Sequence, residues 1–248
     1  MAAEKAIAIV VRGTDWSETS RITTLFTREF GKVRALAKGG RRLKSNFDIA
    51  FDLLSVCEIV FIRKAHGGLD LLTEARMSEQ FPVLRRNLQA LYAGYYVAEL
   101  LSDGTQDYDP HPPLFDAALQ TLRLLGTGDV QQAVSAFELV WLHELGYSPR
   151  FDACASCGRE RMNPNSRAFF SPVAGGVLCP ECGPASADRR MVSGESLAVI
   201  HAFSDARETH DLPDFPAELR TEVRQILGQT VSTVLGRRPR MLTYVDSR

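Results

Sequence analysis

Over the first eighty residues, apolar and β-branched positions come in runs of five to eight, each closed by a turn signal, which is the pattern of short strands. Ala6 to Val11 is the first run, and Arg21 to Thr27 alternates with Ile22, Thr24 and Phe26 on one face. Glu29-Phe30-Gly31-Lys32 reads as a turn into a strand that carries Val33, Ala35 and Ala37 on one side, so these two runs predict a hairpin. Ser55 to Arg63 is the strongest strand, and His66-Gly67-Gly68 turns the chain into Leu69 to Arg76. Four or five strands in about 75 residues, with no helical period between them, predict a small closed or nearly closed barrel.

After Pro82 the period changes. Leu84, Leu88, Leu91, Tyr95 and Ala98 recur every three or four residues, as do Leu114, Ala118, Leu122 and Leu125 after Pro112-Pro113. A third set, Ala133, Phe137, Val140 and Leu145, follows Asp129, a suitable N-cap, and stops at Gly146. Ser193 to Phe203 predicts a shorter helix. From Pro216 onward, Leu219, Val223, Ile226, Leu227, Thr230, Val234 and Leu235 line one side of a helix of about five turns. The expected fold class is α+β, with a barrel domain over residues 1–80 and a mostly helical domain over 81–248 that carries an insertion at 151–186.

Composition adds little to this picture: of 248 residues, 45% are hydrophobic and 24% charged, values ordinary for a folded globular chain. No apolar run approaches the roughly 18 residues that span a bilayer. The opening MAAEKAIAIVVRG lacks the order of a signal peptide, so the expected compartment is the cytoplasm. Charge changes the picture more. The net charge of -1 conceals a basic stretch over residues 28–44, seven cations against Glu29, and an acidic stretch over 95–145, eight acids against Arg123. Two such regions should attract different partners.

The insertion reads FDACASCGRERMNPNSRAFFSPVAGGVLCPECGPAS. Cys154 and Cys157 form one Cys-x-x-Cys and Cys179 and Cys182 a second, with 21 residues between the pairs. Two thiolates three apart on a tight knuckle can reach one ion at about 2.3 Å, and two knuckles complete a tetrahedron. Gly158 and Gly183 sit where the knuckles need small residues, and Phe169, Phe170 and Val177 suit a short hairpin between them. A redox dithiol needs one pair in a thioredoxin-like context, which is missing, so one structural zinc per chain is expected. A closed four-sulfur site leaves no open position for catalysis, and its expected role is to fold a segment with little core of its own. Cys57, inside Ser-Val-Cys-Glu-Ile-Val, reads as a small buried hydrophobe.

On the predicted hairpin, Arg34 and Lys38 leave β-strand positions opposite Val33 and Ala35, and Lys38-Gly39-Gly40-Arg41-Arg42-Leu43-Lys44-Ser45 continues as a loop. Cations in such a row can follow a phosphate backbone, while two glycines let the chain come close to it. A solvated charged loop is the plainer reading of the same residues. Neither G-x-x-x-x-G-K-[ST] nor G-x-G-x-x-G occurs, which disfavours a nucleotide hydrolase. The five histidines show no metal-binding pairing, and Asp107 and Asp109 beside Pro110 look like turn chemistry. No catalytic centre is marked, so the chain reads as a binding protein and not as an enzyme.

Ser17-Glu18-Thr19-Ser20-Arg21-Ile22, Leu25-Phe26-Thr27, Phe30-Gly31-Lys32-Val33, Ala37-Lys38-Gly39-Gly40-Arg41-Arg42 and Lys44-Ser45 together closely resemble the N-terminal region of the bacterial recombination mediators of the RecO family. The order of parts agrees too, covering nearly the whole chain. The resemblance implies an oligonucleotide/oligosaccharide-binding (OB) barrel, a helical domain, and zinc on the four cysteines. It also implies binding and annealing of single-stranded DNA, with double-stranded DNA a second ligand. The implied partners are RecR, RecF and the acidic tail of single-strand-binding protein, the implied outcome is help in loading RecA, and the implied place is the nucleoid. By the motif match, Arg21, Lys32, Lys38, Arg41, Arg42 and Lys44 become DNA-contact candidates, and strand alternation adds Arg34. An adaptor that binds RNA or protein in translation or transcription is the alternative that the residues leave open.

Overall fold

The computed structural model describes every residue except 1–2, 40–46, 48–51, 65–67, 162, 164–165, 206–214 and 247–248. Strand β1 (Ala3–Asp15) is long enough to serve two neighbours. Its first half pairs antiparallel with β4 (Val56–Ile62), from Ala3↔Ile62 to Ile9↔Val56, and its second half pairs with β2 (Arg21–Thr27) as far as Asp15↔Arg21. A register shift between Val10 and Arg12 bends the strand where it changes partner. Strand β3 (Gly31–Ala37) completes the expected hairpin with β2. It then pairs parallel with β5 (Asp70–Glu79), from Ala35↔Asp70 to Ala37↔Leu72, which closes a barrel in the order β1-β2-β3-β5-β4. Five strands in this order make the Greek-key barrel of the OB type.

So narrow a barrel admits small side chains. Ala8, Val33, Ala35 and Ala37 are wholly buried in it, with Leu25, Phe61 and Leu72 filling the remainder. Strand β3 keeps the alternation read from the sequence. Strand β2 does not expose its second face: Phe26, on the side opposite Leu25, is buried and stacks on Phe115 at 6.4 Å between centroids.

The helical period after Pro82 splits in two. Residues Pro82–Arg86 form a 3₁₀ turn, and α1 (Leu88–Gly104) starts afresh at Asn87, whose side chain accepts from the amides of Gln89 and Ala90. An asparagine that satisfies two orphan amides is a cap, and it interrupts a pattern that apolar spacing alone reads as continuous. Helix α2 (Pro112–Leu124) begins at the proline pair. Both helices belong with the barrel, because the chain divides into compact units at Met1–Gly128 and Asp129–Arg248. The change from strands to helices and the division between units are therefore different places in the chain.

In the second unit, Asp129 caps α3 (Val130–Glu144) as expected, accepting from the amides of Gln131 and Gln132. Helices α4 (Gly194–Asp205) and α5 (Ala217–Leu235) follow the predicted spacing, and α5 ends at Gly236, whose φ of 67° supplies the left-handed cap. A three-stranded sheet of order β7-β6-β8 joins β6 (Ala168–Ser171), β7 (Gly176–Leu178) and β8 (Arg190–Val192). The hairpin register pairs Phe170 with Val177. A last short helix, α6 (Leu242–Asp246), and strand β8 have no counterpart in the sequence pattern, since elements of five and three residues are too short to show a period. Among the described residues, no helix is long and apolar enough to cross a membrane.

One polar feature lies inside this unit. Glu138 on α3 is completely buried and accepts from both terminal nitrogens of Arg224 on α5, while Arg224 also reaches Asp246 of α6 at 3.2 Å. The acid thus answers a cation of its own unit and adds nothing to a surface field. Removing one member of a buried pair strands the other, which typically costs about 3–5 kcal/mol. Glu138→Ala should accordingly lower unfolding free energy by about that much in urea titrations; a loss below about 1 kcal/mol, the range of exposed pairs, would show that the pair is not isolated from water.

Candidate metal centre and nucleic-acid interface

The two cysteine pairs converge. Their four sulfurs all lie within 4.8 Å of one another, and Cys157 and Cys179 are 3.8 Å apart. A disulfide would bring sulfurs to about 2.05 Å, whereas the edge of a tetrahedron with about 2.3 Å bonds to a central ion is about 3.8 Å. Each knuckle is folded by its own backbone: the Gly158 amide donates to Cys154 and the Gly183 amide to Cys179, both at 2.8 Å. Gly158 takes φ +75°, and a Cβ on Gly183 would sit 2.1 Å from the Phe169 ring. Both glycines are therefore required for the reasons of space and conformation that the spacing suggested.

The electrostatics of the cluster ask for a cation. Burial opposes ionisation of Cys154, yet amides from Cys179, Cys157 and Ser156 outweigh it and bring the thiol down to about 6. The Cys182 amide, which approaches the Cys179 sulfur at 3.4 Å, lowers Cys179. Cys182, beside that sulfur, is pushed up to about 12. Four thiolates this close repel one another, and a divalent ion relieves the repulsion. A bidentate pair, Arg159 to Glu181 at 2.6 and 2.8 Å, ties the first knuckle to the second.

The segment has more core than the sequence suggests. Phe170, Val177 and Val192 from its three strands are buried with Leu197, Ile200 and Ile226 of α4 and α5. A Cβ on Gly176 would lie 2.3 Å from the Arg150 carbonyl, so the strand entering the first knuckle rests directly on β7. A metal held by the four sulfurs would thus be one of two anchors. Cys57 is buried and its thiol is pushed up to about 12 by that burial, as its apolar setting requires.

On the barrel, the predicted cations part company. Arg34 and Lys38 are exposed on the outer side of β3 and its continuation. Arg21, at the start of β2, lies over Gly13 and faces Asp15 at 3.5 Å. Lys32 is turned inward: its ammonium donates to the carbonyls of Ser102 at 2.9 Å and Thr105 at 2.5 Å and faces Asp107 at 3.4 Å, with its side chain 13% exposed. Arg41, Arg42 and Lys44 lie outside the described residues.

Lys32 is part of a larger pairing that charge counting missed. Asp116 takes both donors of Arg28 at 2.9 and 3.0 Å, and Asp103 faces Arg12 at 3.7 Å. Between them the chain at Tyr108 runs beside β3, its amide donating to the Lys32 carbonyl at 3.0 Å. Tyr108 takes φ +61°, its hydroxyl donates to buried Asp70, and Arg63 lies 3.8 Å above its ring. Asp107 and Asp109 are therefore more than a turn: Asp107 answers Lys32, and the Asp109 backbone presses on Gly31 so closely that a Cβ there would lie 2.0 Å from its carbonyl oxygen. The signal in the sequence was the opposite signs of the two stretches, which pair with each other.

Two family models match the chain, "Recombination protein O N terminal" over residues 1–81 and "Recombination protein O C terminal" over 85–243. The chain belongs to the RecO family. Among its relatives, the DNA repair protein RecO of Rhodopirellula baltica is 37% identical over 98% of both chains. That of an Anaeromyxobacter species is 32% identical over 98% of this chain and 95% of its own, and that of Desulfitobacterium hafniense is 36% identical over 79% and 71%. Membership of the RecO family makes this a DNA repair protein with an OB-type barrel, a helical remainder and a four-cysteine cluster fit to hold one metal ion. For that cluster, replacing Cys154 and Cys179 together with Ser should reduce bound metal from about one ion per chain to less than about a tenth, as read by elemental analysis after dialysis; undiminished metal in the double variant would place the ion elsewhere.

Proposed function

We propose that this RecO-family chain is a recombination mediator that binds and anneals single-stranded DNA and helps to load RecA onto strands coated by single-strand-binding protein. The observation that carries the reading is the outer edge of β3, where Arg34 and Lys38 are exposed and, among the described residues, are not in the ion pairs that engage Arg12, Arg28 and Lys32; Arg41, Arg42 and Lys44 follow them in sequence. Cations in a row beside a small barrel suit a phosphate backbone. Arg21 borders the same edge, while Lys32, held by three oxygens, is withdrawn from the DNA track and fastens the barrel to the segment after α1.

The metal on this reading is zinc, because four sulfurs in tetrahedral reach are the structural zinc set, and its part is to hold the two knuckles together. Zinc supplies no chemistry here beyond that. The chain acts without catalysing a reaction of its own, through binding to single strands, and also duplex, and to RecR, RecF and the acidic tail of single-strand-binding protein, at the bacterial nucleoid. The barrel over residues 1–80 carries the DNA; of the remainder, 81–248 with its insertion at 151–186, helices α1 and α2 belong to the barrel's compact unit.

The test is the salt dependence of oligonucleotide binding, followed by an annealing assay on coated strands. Affinity for single strands should fall steeply with salt, by a logarithmic slope of about 0.7 per neutralised phosphate. Replacing Arg41, Arg42 and Lys44 with Ala should flatten the slope by about two units, whereas Lys32→Ala should leave the slope alone and lower the unfolding midpoint. A triple variant with an undiminished slope would remove the segment from the DNA path, and preference for RNA stem-loops over single-stranded DNA would turn the reading toward an RNA-binding adaptor.

A further inference from the structure

The chain has two tryptophans, and they are in opposite environments. Trp141 on α3 is wholly buried, while Trp16, in the turn between β1 and β2, is 67% exposed. An indole is large and apolar, and leaving it in water forgoes the burial that usually recommends it. The turn that displays it is well braced. The Trp16 amide donates to the Ser20 carbonyl at 3.1 Å, the Ser17 amide to the same oxygen at 3.2 Å, and the Ser20 amide to the Ser17 hydroxyl at 3.1 Å. The ring is therefore carried on a fixed support at an edge of the barrel.

The register says which edge. Asp15 pairs with Arg21 and Arg21 with Ala37, so the turn lies at the end of the sheet where β3 delivers Lys38. The turn that carries the exposed ring is thus at the same end of the sheet as Arg21 and Lys38. The turn's own ionisable groups, Asp15 and Glu18, are acidic. Asp15 is engaged by Arg21, and neither acid would draw a phosphate. What the turn offers to a nucleic acid is a flat apolar face, next to cations that hold the backbone.

We propose that Trp16 is a stacking platform for one base of the single strand whose phosphates the β3 edge holds. This rests on the DNA-binding reading above and adds to it a residue of different chemistry. Every base has a π face, so such a platform tolerates any sequence, and base–aromatic stacking lost to Ala weakens binding by about five- to a hundred-fold. Stacking releases no counterions. Its loss should therefore leave the salt slope unchanged, whereas loss of a cation flattens it.

Because Trp141 is buried, the exposed component of tryptophan emission reports Trp16 alone. The experiment titrates the whole chain with an unlabelled thymidylate 20-mer at low salt while reading that emission, with anisotropy of a labelled copy as an independent measure of binding. The expected result is quenching of the exposed component with the midpoint given by anisotropy. Trp16→Ala should bind about five- to a hundred-fold more weakly at an unchanged salt slope, and Trp16→Phe should recover most of the loss. The wild-type quenching needs no variant, so a poorly folded Trp16→Ala would not shelter the proposal. Binding by anisotropy with emission untouched, or an affinity unaltered in Trp16→Ala, overturns the platform and leaves the DNA reading standing. No binding by anisotropy overturns both.

Discussion

The first compact unit depends on the pairing of the β2–β3 hairpin with the acidic connection between α1 and α2. Arg28 with Asp116, Lys32 with Asp107 and the backbone contact of Gly31 with Asp109 fasten three successive points of the hairpin to that connection. Exposed ion pairs contribute little singly, and Arg28–Asp116 is exposed. Lys32 is different, since its ammonium is largely screened from water and its donors go to two carbonyls that terminate α1 as well as to a carboxylate. Carbonyls at a helix C-terminus carry partial negative charge and lack partners within the helix, so an ammonium there satisfies both requirements together. This is the physical reason that α1 and α2 form one body with the barrel.

The same contact sorts the barrel's cations. Those facing the acidic connection are neutralised inside the unit, and those farther along the same face of β3 are left to the solvent. A summed charge along the sequence cannot make that distinction, because it takes Arg28, Lys32, Arg34 and Lys38 as one cluster. Strand alternation separates Arg34 from its buried neighbours, but Lys32 also stands on the outer face, and only the fold shows that the outer face is covered at its beginning and open at its end.

Legibility in the sequence followed period and spacing. The β2 limits at Arg21 and Thr27, the Asp129 cap and the hairpin between the cysteine knuckles all rest on local rules, and the structure realises each of them. The metal cluster was legible because ligand spacing is itself the chemistry. Three things were not legible. The break at Asn87 is a polar capping event inside an apolar period, and β8 and α6 are shorter than any period. Glu138, counted from the sequence among surface acids, is buried against Arg224 more than eighty residues away, a contact that no local window contains. Trp16 was legible as a residue and silent as a site, since its meaning comes from exposure.

The arrangement of the open edge bears on what annealing requires. Two strands can pair only if their Watson–Crick edges are free, so a protein that promotes pairing gains by holding phosphates and loses by gripping bases. On the proposed reading, cations on a strand and on the glycine-bearing stretch that follows it in sequence meet that requirement, because they act on the backbone and are weakened by salt and by the competing charge of a second strand. A long row of aromatic platforms would not, since each stacked base adds an affinity that the incoming strand must overcome. One platform at the end of the row is a compromise: on the proposed reading it fixes the register of a single base while the bases beyond it stay available. On that reading the acidic connection serves the same end from the other side, because pairing Arg28 and Lys32 shortens the cationic track and so limits how many phosphates it would retain.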